Sequence, residues 1–366
     1  MIKIGFVVPS SIEYIGGMEK TIKRYLSYDS DKVQKTLIQF ENKGTYENTI
    51  VLKSVYSKLN IGTSGFLNFA VRILAPFILS IDILMNIKKL KFIKENIDMI
   101  YLANNDFYFL FKKHKNIIWS EHGNLFHNYT GVNYLNRIIY KMVEKNILFK
   151  NIKTVHLLNC YNKKFIPDRI KTFCVPNGID SDKFIPKMNK NSVAKCLFVG
   201  RLEKSKGIQA IINAFNMLDK RYDLSVVGKG PLSEPVKKNT GDRLHYYGYI
   251  DDSKLIDLYG SSDVFIFPST LENYGNVILE ALSSGLYILA SSTLRPRFDF
   301  AEKMNYLEYI SPEENGILKS LENINKKIEY SSNYDNKLKM HEYIKQEYDW
   351  KLILNDLYSH LSGNLE

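Results

Sequence analysis

Glu272 and Glu280 frame the stretch ENYGNVILE, which turns apolar after its first residues. A carboxylate in such a setting costs free energy unless something compensates it. If a helix begins near Gly275 or Asn276, Glu272 falls in the loop before it and Glu280 about one turn inside. The first backbone N–H groups, at Gly275, Asn276 and Val277, then point outward as an anion site, and the helix dipole tolerates Glu280 near its positive end. A phosphate over that helix start would have a carboxylate on each side along the ligand. The plainer reading makes Glu280 a helix residue paired with a lysine and Glu272 a loop acid.

Three other stretches carry residue types suited to chemistry. In FVGRLEKSKG (198–207), Gly200 lets backbone approach a ligand, and Arg201 with Lys206 can neutralise a diphosphate. A solvated basic loop accounts for it equally well. Gly16 and Gly17 precede the first helix, where backbone N–H groups can meet an anion or a sugar hydroxyl; a flexible turn is the alternative. His122 lies in the turn SEHGN, placed to donate to a substrate oxygen or to act as a general acid or base. VVGKGP (226–231) has Gly228 and Gly230 but no third glycine, and Pro231 follows, so a dinucleotide fingerprint is not supported.

These residues fall in turns after apolar, β-rich runs. Strands are predicted at 2–8, 99–103, 116–121, 154–159 and 171–178, then at 195–201, 223–230, 243–250, 263–269 and 286–292. Helices are predicted at 207–220, at 251–262 behind its two aspartates, and at 276–285. The alternation predicts parallel sheets covered on both faces, in two doubly wound series, with 176–192 as the linker. In open parallel sheets, ligands sit beyond the carboxyl ends of the strands.

Length and composition agree with two ordinary globular domains: 366 residues, 45% hydrophobic and 24% charged. Of the formal charge of +11, residues 1–190 carry about +14 and the remainder about −3. A basic half suits nucleic acid, an anionic membrane surface or phosphorylated small molecules, and a Lys-rich genome would produce part of it. Cys160, Cys174 and Cys196 form no CxxC pair, so neither a zinc site nor a disulfide is expected, and the chain reads as cytoplasmic. MIKIGFVVPS is too short and strand-like for a signal peptide. The apolar region 65–93 is broken by Arg72, Pro76 and Asp82, which argues against a spanning helix. Lys88, Lys89 and Lys91 after it suit a surface-lying amphipathic segment, although a core-facing helix pair is the commoner explanation.

Taken in order, GGMEK (16–20), SEHG (120–123), PNGID (176–180), GRLEKSKG (200–207), VVGKGPL (226–232), YYGYI (246–250) and FIFPSTLENYGNVILEALSSG (265–285) resemble the large retaining glycosyltransferase family four. The resemblance covers nearly the whole chain and is densest from about 196 to 290. It implies the GT-B fold: two Rossmann-like doubly wound α/β domains facing each other across a cleft. The domains would be 1–180 on the acceptor side, 181–345 for the nucleotide sugar, and 346–366 as a helix crossing back. By the resemblance, Arg201, Lys206, Gly16, Gly17 and the helix start at Gly275, Asn276 and Val277 would meet the donor diphosphate. Glu280 would bond the ribose, and Tyr249 and Ile250 would read the base. Glu272 and His122 would sit at the sugar. No cofactor and no metal are implied. In place of the family's usual Gly-Gly turn stands TLRPRFDFAEKMNYLEYI (293–310), where Arg295 or Arg297 would take over a donor contact.

The expected activity is transfer of a sugar from a UDP- or GDP-linked donor to a glycan or polyprenyl-diphosphate-linked acceptor, in surface polysaccharide or glycoconjugate synthesis. The expected location is cytoplasmic, peripheral to the inner membrane face. A non-catalytic sugar-nucleotide-binding protein of the same fold and a sugar-nucleotide epimerase are the alternatives. Nucleic-acid binding has only the charge in its favour.

Overall fold

A computed structural model describes residues 1–9, 17–41, 46–60, 75–104, 107–121, 149–188, 194–218, 221–272 and 274–364. The chain divides into two units: Met1–Pro176 with Leu354–Glu366, and Asn177–Ile353.

The first unit is built on a parallel sheet of β1 (Ile2–Val7), β2 (Val33–Gln39), β3 (Thr49–Val51), β4 (Met99–Leu102), β5 (Ile117–Glu121), β6 (Thr154–Leu157) and β7 (Lys171–Cys174), in the order β3-β2-β1-β4-β5-β6-β7. The second sheet holds β8 (Ala194–Val199), β9 (Tyr222–Val227), β10 (Leu244–Gly248), β11 (Val264–Phe267), β12 (Tyr287–Ser291) and β13 (Leu307–Ile310), in the order β10-β9-β8-β11-β12-β13. Both sheets are the doubly wound α/β arrangement that the alternation predicts. Central strands such as MIYL (β4) and VFIF (β11) are buried throughout, because helices cover both faces of a parallel sheet.

The helices that matter below are α1 (Gly17–Ser27), α2 (Val55–Asn60), α3 (Ala75–Met85), α4 (Ile87–Asn96), α5 (Ile208–Met217), α6 (Asp252–Ser261), α7 (Asn276–Ser283), α8 (Tyr334–Tyr348) and α9 (Trp350–Gly363). Asp251 caps α6 by accepting from the Lys254 N–H at 2.8 Å. The last turns of α9 pack in the first unit: Tyr358 donates to the Tyr25 carbonyl at 2.6 Å, and His360 stacks on Phe173.

Three expectations are corrected. Strands β2, β3 and β13 were not foreseen. All three lie at or beside a sheet edge, where partly exposed residues such as Lys35 and Glu308 interrupt the apolar run. The 176–192 stretch is no free linker over its described part. Ile179 exchanges backbone bonds with Tyr348 and Trp350, and Ser181 donates to Asp349 at 2.5 Å. A side chain at Gly178 would meet the Trp350 ring at 2.8 Å, so only glycine passes there. Third, Cys160 and Cys174 form a disulfide, where none was expected. The turn after β6 brings Cys160 beside edge strand β7, a proximity their spacing of 14 does not reveal.

Candidate active site

The turns after β8, β9, β10 and β11 are knitted together at the carboxyl edge of the second sheet. The Gly200 N–H donates to the Val227 carbonyl and the Gly228 N–H to the Gly248 carbonyl, at 3.0 and 2.7 Å. A Cβ at Gly228, whose φ is +134°, would stand 1.9 Å from the Gly200 carbonyl oxygen. Its glycine is therefore required by loop against loop, which is a packing reason rather than a ligand. The β8 and β11 turns are joined by the Thr270 N–H donating to the Ser205 carbonyl at 2.8 Å.

That join brings two of the expected residues together. Lys206 Nζ lies 2.5 Å from Glu272 Oε2 and 3.1 Å from the Leu271 carbonyl. Both side chains are largely enclosed, at 16% and 18% exposure. Arg297 donates to the Glu272 carbonyl at 2.9 Å, whereas Arg295 turns away to Glu302 and the Tyr309 ring. Of the two arginines considered for the donor loop, the structure brings Arg297 to Glu272. Arg201 extends from the β8 turn, 70% exposed and 3.4 Å from Glu203.

Past Glu272 the chain is pinned by Tyr274, which is buried against Phe298. Burial holds its phenol well above the ordinary range, with Tyr348 adding to the effect. Gly275 follows at φ +92°, a left-handed conformation that a side chain would strain, and α7 begins at the next residue. The helix start thus lies where the sequence puts it. Asn276 accepts from Asn177 Nδ2 at 3.1 Å; Asn177 is 6% exposed and its Oδ1 is unpartnered among the described residues.

Glu280, half-buried in the second turn of α7, accepts from the Tyr259 hydroxyl at 2.9 Å. Tyr259 itself is fully buried, edge-on to Phe184. Burial, with the Glu280 carboxylate, pushes its phenol well above the ordinary value, so it stays a donor. The compensation for Glu280 is therefore a tyrosine from α6, which the sequence reasoning missed. Twenty-five tyrosines and a separation of 21 residues give no local signal for it.

Tyr249 is 57% exposed in the turn after β10, and Ile250, half-buried, follows it. Gly17 opens α1 in the first unit with nothing within 4 Å of where a Cβ would stand. Gly16 and His122 lie outside the described residues. Among those described, no group of His, Cys, Asp and Glu is arranged to hold a metal ion. The arrangement offers cations (Lys206, Arg201, Arg297) and the N–H groups of a helix start at one edge, with two carboxylates held in different ways. Such a set suits an anionic leaving group beside a polyhydroxylated one.

Residues 180–347 match the family model described as "Glycosyl transferases group 1". An uncharacterized glycosyltransferase of Methanocaldococcus jannaschii is 31% identical over 267 residues, covering 66% of this chain and 66% of that protein. The chain thus spans about two thirds of that relative's length. Sucrose-phosphate synthase from Thermosynechococcus elongatus superposes over 100% of both chains with a TM-score of 0.75 at 16% identity. HepE from Anabaena, solved in complex with UDP and glucose, does so over 99% of this chain and 100% of its own with a TM-score of 0.69 at 15% identity. Those two likenesses concern the fold, which is GT-B. With its two doubly wound sheets and the matched second unit, the chain belongs to the group 1 glycosyl transferases.

Proposed function

We propose that the chain is a retaining, metal-independent glycosyltransferase that moves a sugar from a UDP- or GDP-linked donor to a glycan or polyprenyl-diphosphate-linked acceptor. The observation that carries the reading is the Lys206–Glu272 pair beside the start of α7, with Glu280 held by Tyr259 in the same helix. Departure of the leaving group puts negative charge on the diphosphate. Lys206, Arg201 and the N–H groups of Gly275, Asn276 and Val277 are the groups that would stabilise it, which leaves no task that requires a metal ion. The sugar becomes oxocarbenium-like as the bond breaks, and the Glu272 carboxylate favours that charge. Glu272 acts as a positioning and electrostatic group rather than a base, and the departing phosphate takes the acceptor proton on the face it leaves. Glu280 bonds the ribose hydroxyls, and backbone groups near Tyr249 and Ile250 meet the base. The roles of Gly16, Gly17 and His122 rest on the motif resemblance.

The basic first half and the apolar–basic segment around residues 75–96 support an acceptor at the inner face of the cell membrane, in surface polysaccharide or glycoconjugate synthesis. No described helix is long and apolar enough to cross a membrane. A thermal-shift panel of UDP, GDP, ADP and their sugar conjugates tests the donor reading. Ligands that bind the folded state raise its melting temperature, by an amount set by concentration over Kd. UDP or GDP should stabilise the protein more than ADP does. The absence of any shift at millimolar concentrations would overturn the proposal.

A further inference from the structure

We infer that the outer face of α3 and the start of α4 form a docking surface for an anionic lipid bilayer. This rests on the peripheral placement proposed above and assigns it to particular side chains. Helix α3 is apolar nearly all round: Ile78 and Leu79 enter the core of the first unit, and a single carboxylate anchors its inner side. Asp82, fully buried, accepts from the Ser54 hydroxyl at 2.6 Å and from the Val55 N–H at 2.7 Å, where α2 begins. Asn86, 2% exposed, donates to the Lys53 carbonyl and accepts from the Lys53 N–H. These bonds fix the rotation of α3, with Asp82 turned inward and Ser80 left exposed.

The opposite stripe faces outward and is apolar apart from Ser80. Phe77, Ile81 and Leu84, at helical spacing, are 70%, 37% and 71% exposed; Met85, Ile87 and Phe92 continue the patch. Single exposed apolar residues are ordinary, whereas a cluster of this kind marks a surface that something covers. Charge identifies the occupant. Lys88, Lys91 and Lys94 are exposed on α4 beside the patch, and among the described residues an acid stands near Lys91, Glu95 at 3.9 Å. Apolar side chains flanked by lysines fit an anionic headgroup layer, with the rings and Leu84 entering the acyl boundary. A second copy of the chain would set the same lysines against each other.

The test uses the full chain with vesicles of phosphatidylcholine alone and of phosphatidylcholine with about one third phosphatidylglycerol. Co-sedimentation should require the anionic lipid and weaken with salt. Lys88→Gln, Lys91→Gln and Lys94→Gln together should lower the partition coefficient about a hundredfold, roughly fivefold each. Phe77→Ser with Leu84→Ser, both at exposed positions, should lower it at least about tenfold while leaving the far-UV spectrum unchanged. Leu84→Trp should gain a blue-shifted emission that brominated lipid quenches. Equal binding to neutral vesicles, no binding to either, or a serine pair that binds like the parent would overturn the assignment. So would a dimer that the serine pair dissolves without vesicle binding. Nucleotide thermal shifts on the same variants separate the two readings, since they fail only if the donor proposal fails.

Discussion

Breaking the Lys206–Glu272 pair tests the chemistry most directly. The two charged atoms are 2.5 Å apart and their side chains keep 16% and 18% exposure. At an effective permittivity of about 20 the gross attraction is roughly 6–7 kcal/mol, and desolvation of the two ions takes back most of it, leaving about 1–3 kcal/mol. Lys206→Ala leaves Glu272 enclosed without its ammonium partner. Residual solvent access to Glu272 moderates the penalty, so the expected destabilisation is about 2 kcal/mol, below the ~3–5 of a fully buried pair broken on one side. Glu272→Gln keeps an acceptor for Lys206 and should cost about 1 kcal/mol. Because the two groups touch, the double variant should fall short of the summed effects by about 1 kcal/mol or more. Sugar transfer, followed as nucleotide release from the donor that the thermal-shift panel selects, should drop at least about a hundredfold in either single variant. Urea unfolding supplies the stabilities, and at these losses the fold persists. Full activity in either variant refutes the assigned roles, and strictly additive stabilities refute the pair.

Two further outcomes follow from the tyrosines. Tyr259→Phe keeps the ring against Phe184 but removes the donor to Glu280, so stability should fall by about 1–2 kcal/mol and nucleotide affinity by about tenfold; both losses should vanish in a Glu280→Ala background, which has no acceptor left for the phenol, and an unchanged affinity in Tyr259→Phe would show that Glu280 needs no positioning. Burial holds the phenols of Tyr101, Tyr259 and Tyr274 well above their ordinary 10.0, so above that pH the unfolded chain releases protons the folded one retains. Stability should be complete below pH 10 and fall by roughly 1.4 kcal/mol per pH unit for each such phenol above it; a urea midpoint still flat at pH 11 would contradict the burial.

The sequence carries the central strands of the second sheet and the α7 start, because central parallel strands are uninterrupted apolar runs and turns follow them. VFIF, YILAS and the glycine before Asn276 need no context to be read. Edge strands are harder: LEYI in β13 holds Glu308, which donors from Ser320 and Lys327 satisfy only once the fold exists. The site divides along the same line. Lys206 and Glu272 are legible as charged residues in post-strand loops, but their pairing across 66 positions follows from the neighbouring placement of β8 and β11. Tyr259, Asn177 and the Cys160–Cys174 bond are products of packing, and their residue types are too common or too far apart to announce it.

The two glutamates of ENYGNVILE, so close in sequence, are compensated by different physics, and the residue between them explains why. Gly275 at φ +92° turns the chain sharply before α7. Glu272 is left on the loop side, against a lysine, while Glu280 is carried into the helix, against a neutral phenol. A neutral donor fixes a carboxylate without cancelling its charge, so Glu280 keeps acceptor capacity for hydroxyl groups. A cationic partner does cancel it, and Lys206 is then committed until a second anion arrives to share it. A diphosphate beside Lys206 would draw the ammonium toward itself and leave the Glu272 charge less neutralised, at the moment a positive sugar carbon develops. On this reading donor binding is what switches on the Glu272 carboxylate, and the 16% and 18% exposure of the pair is what makes that exchange worth more than it would be in water.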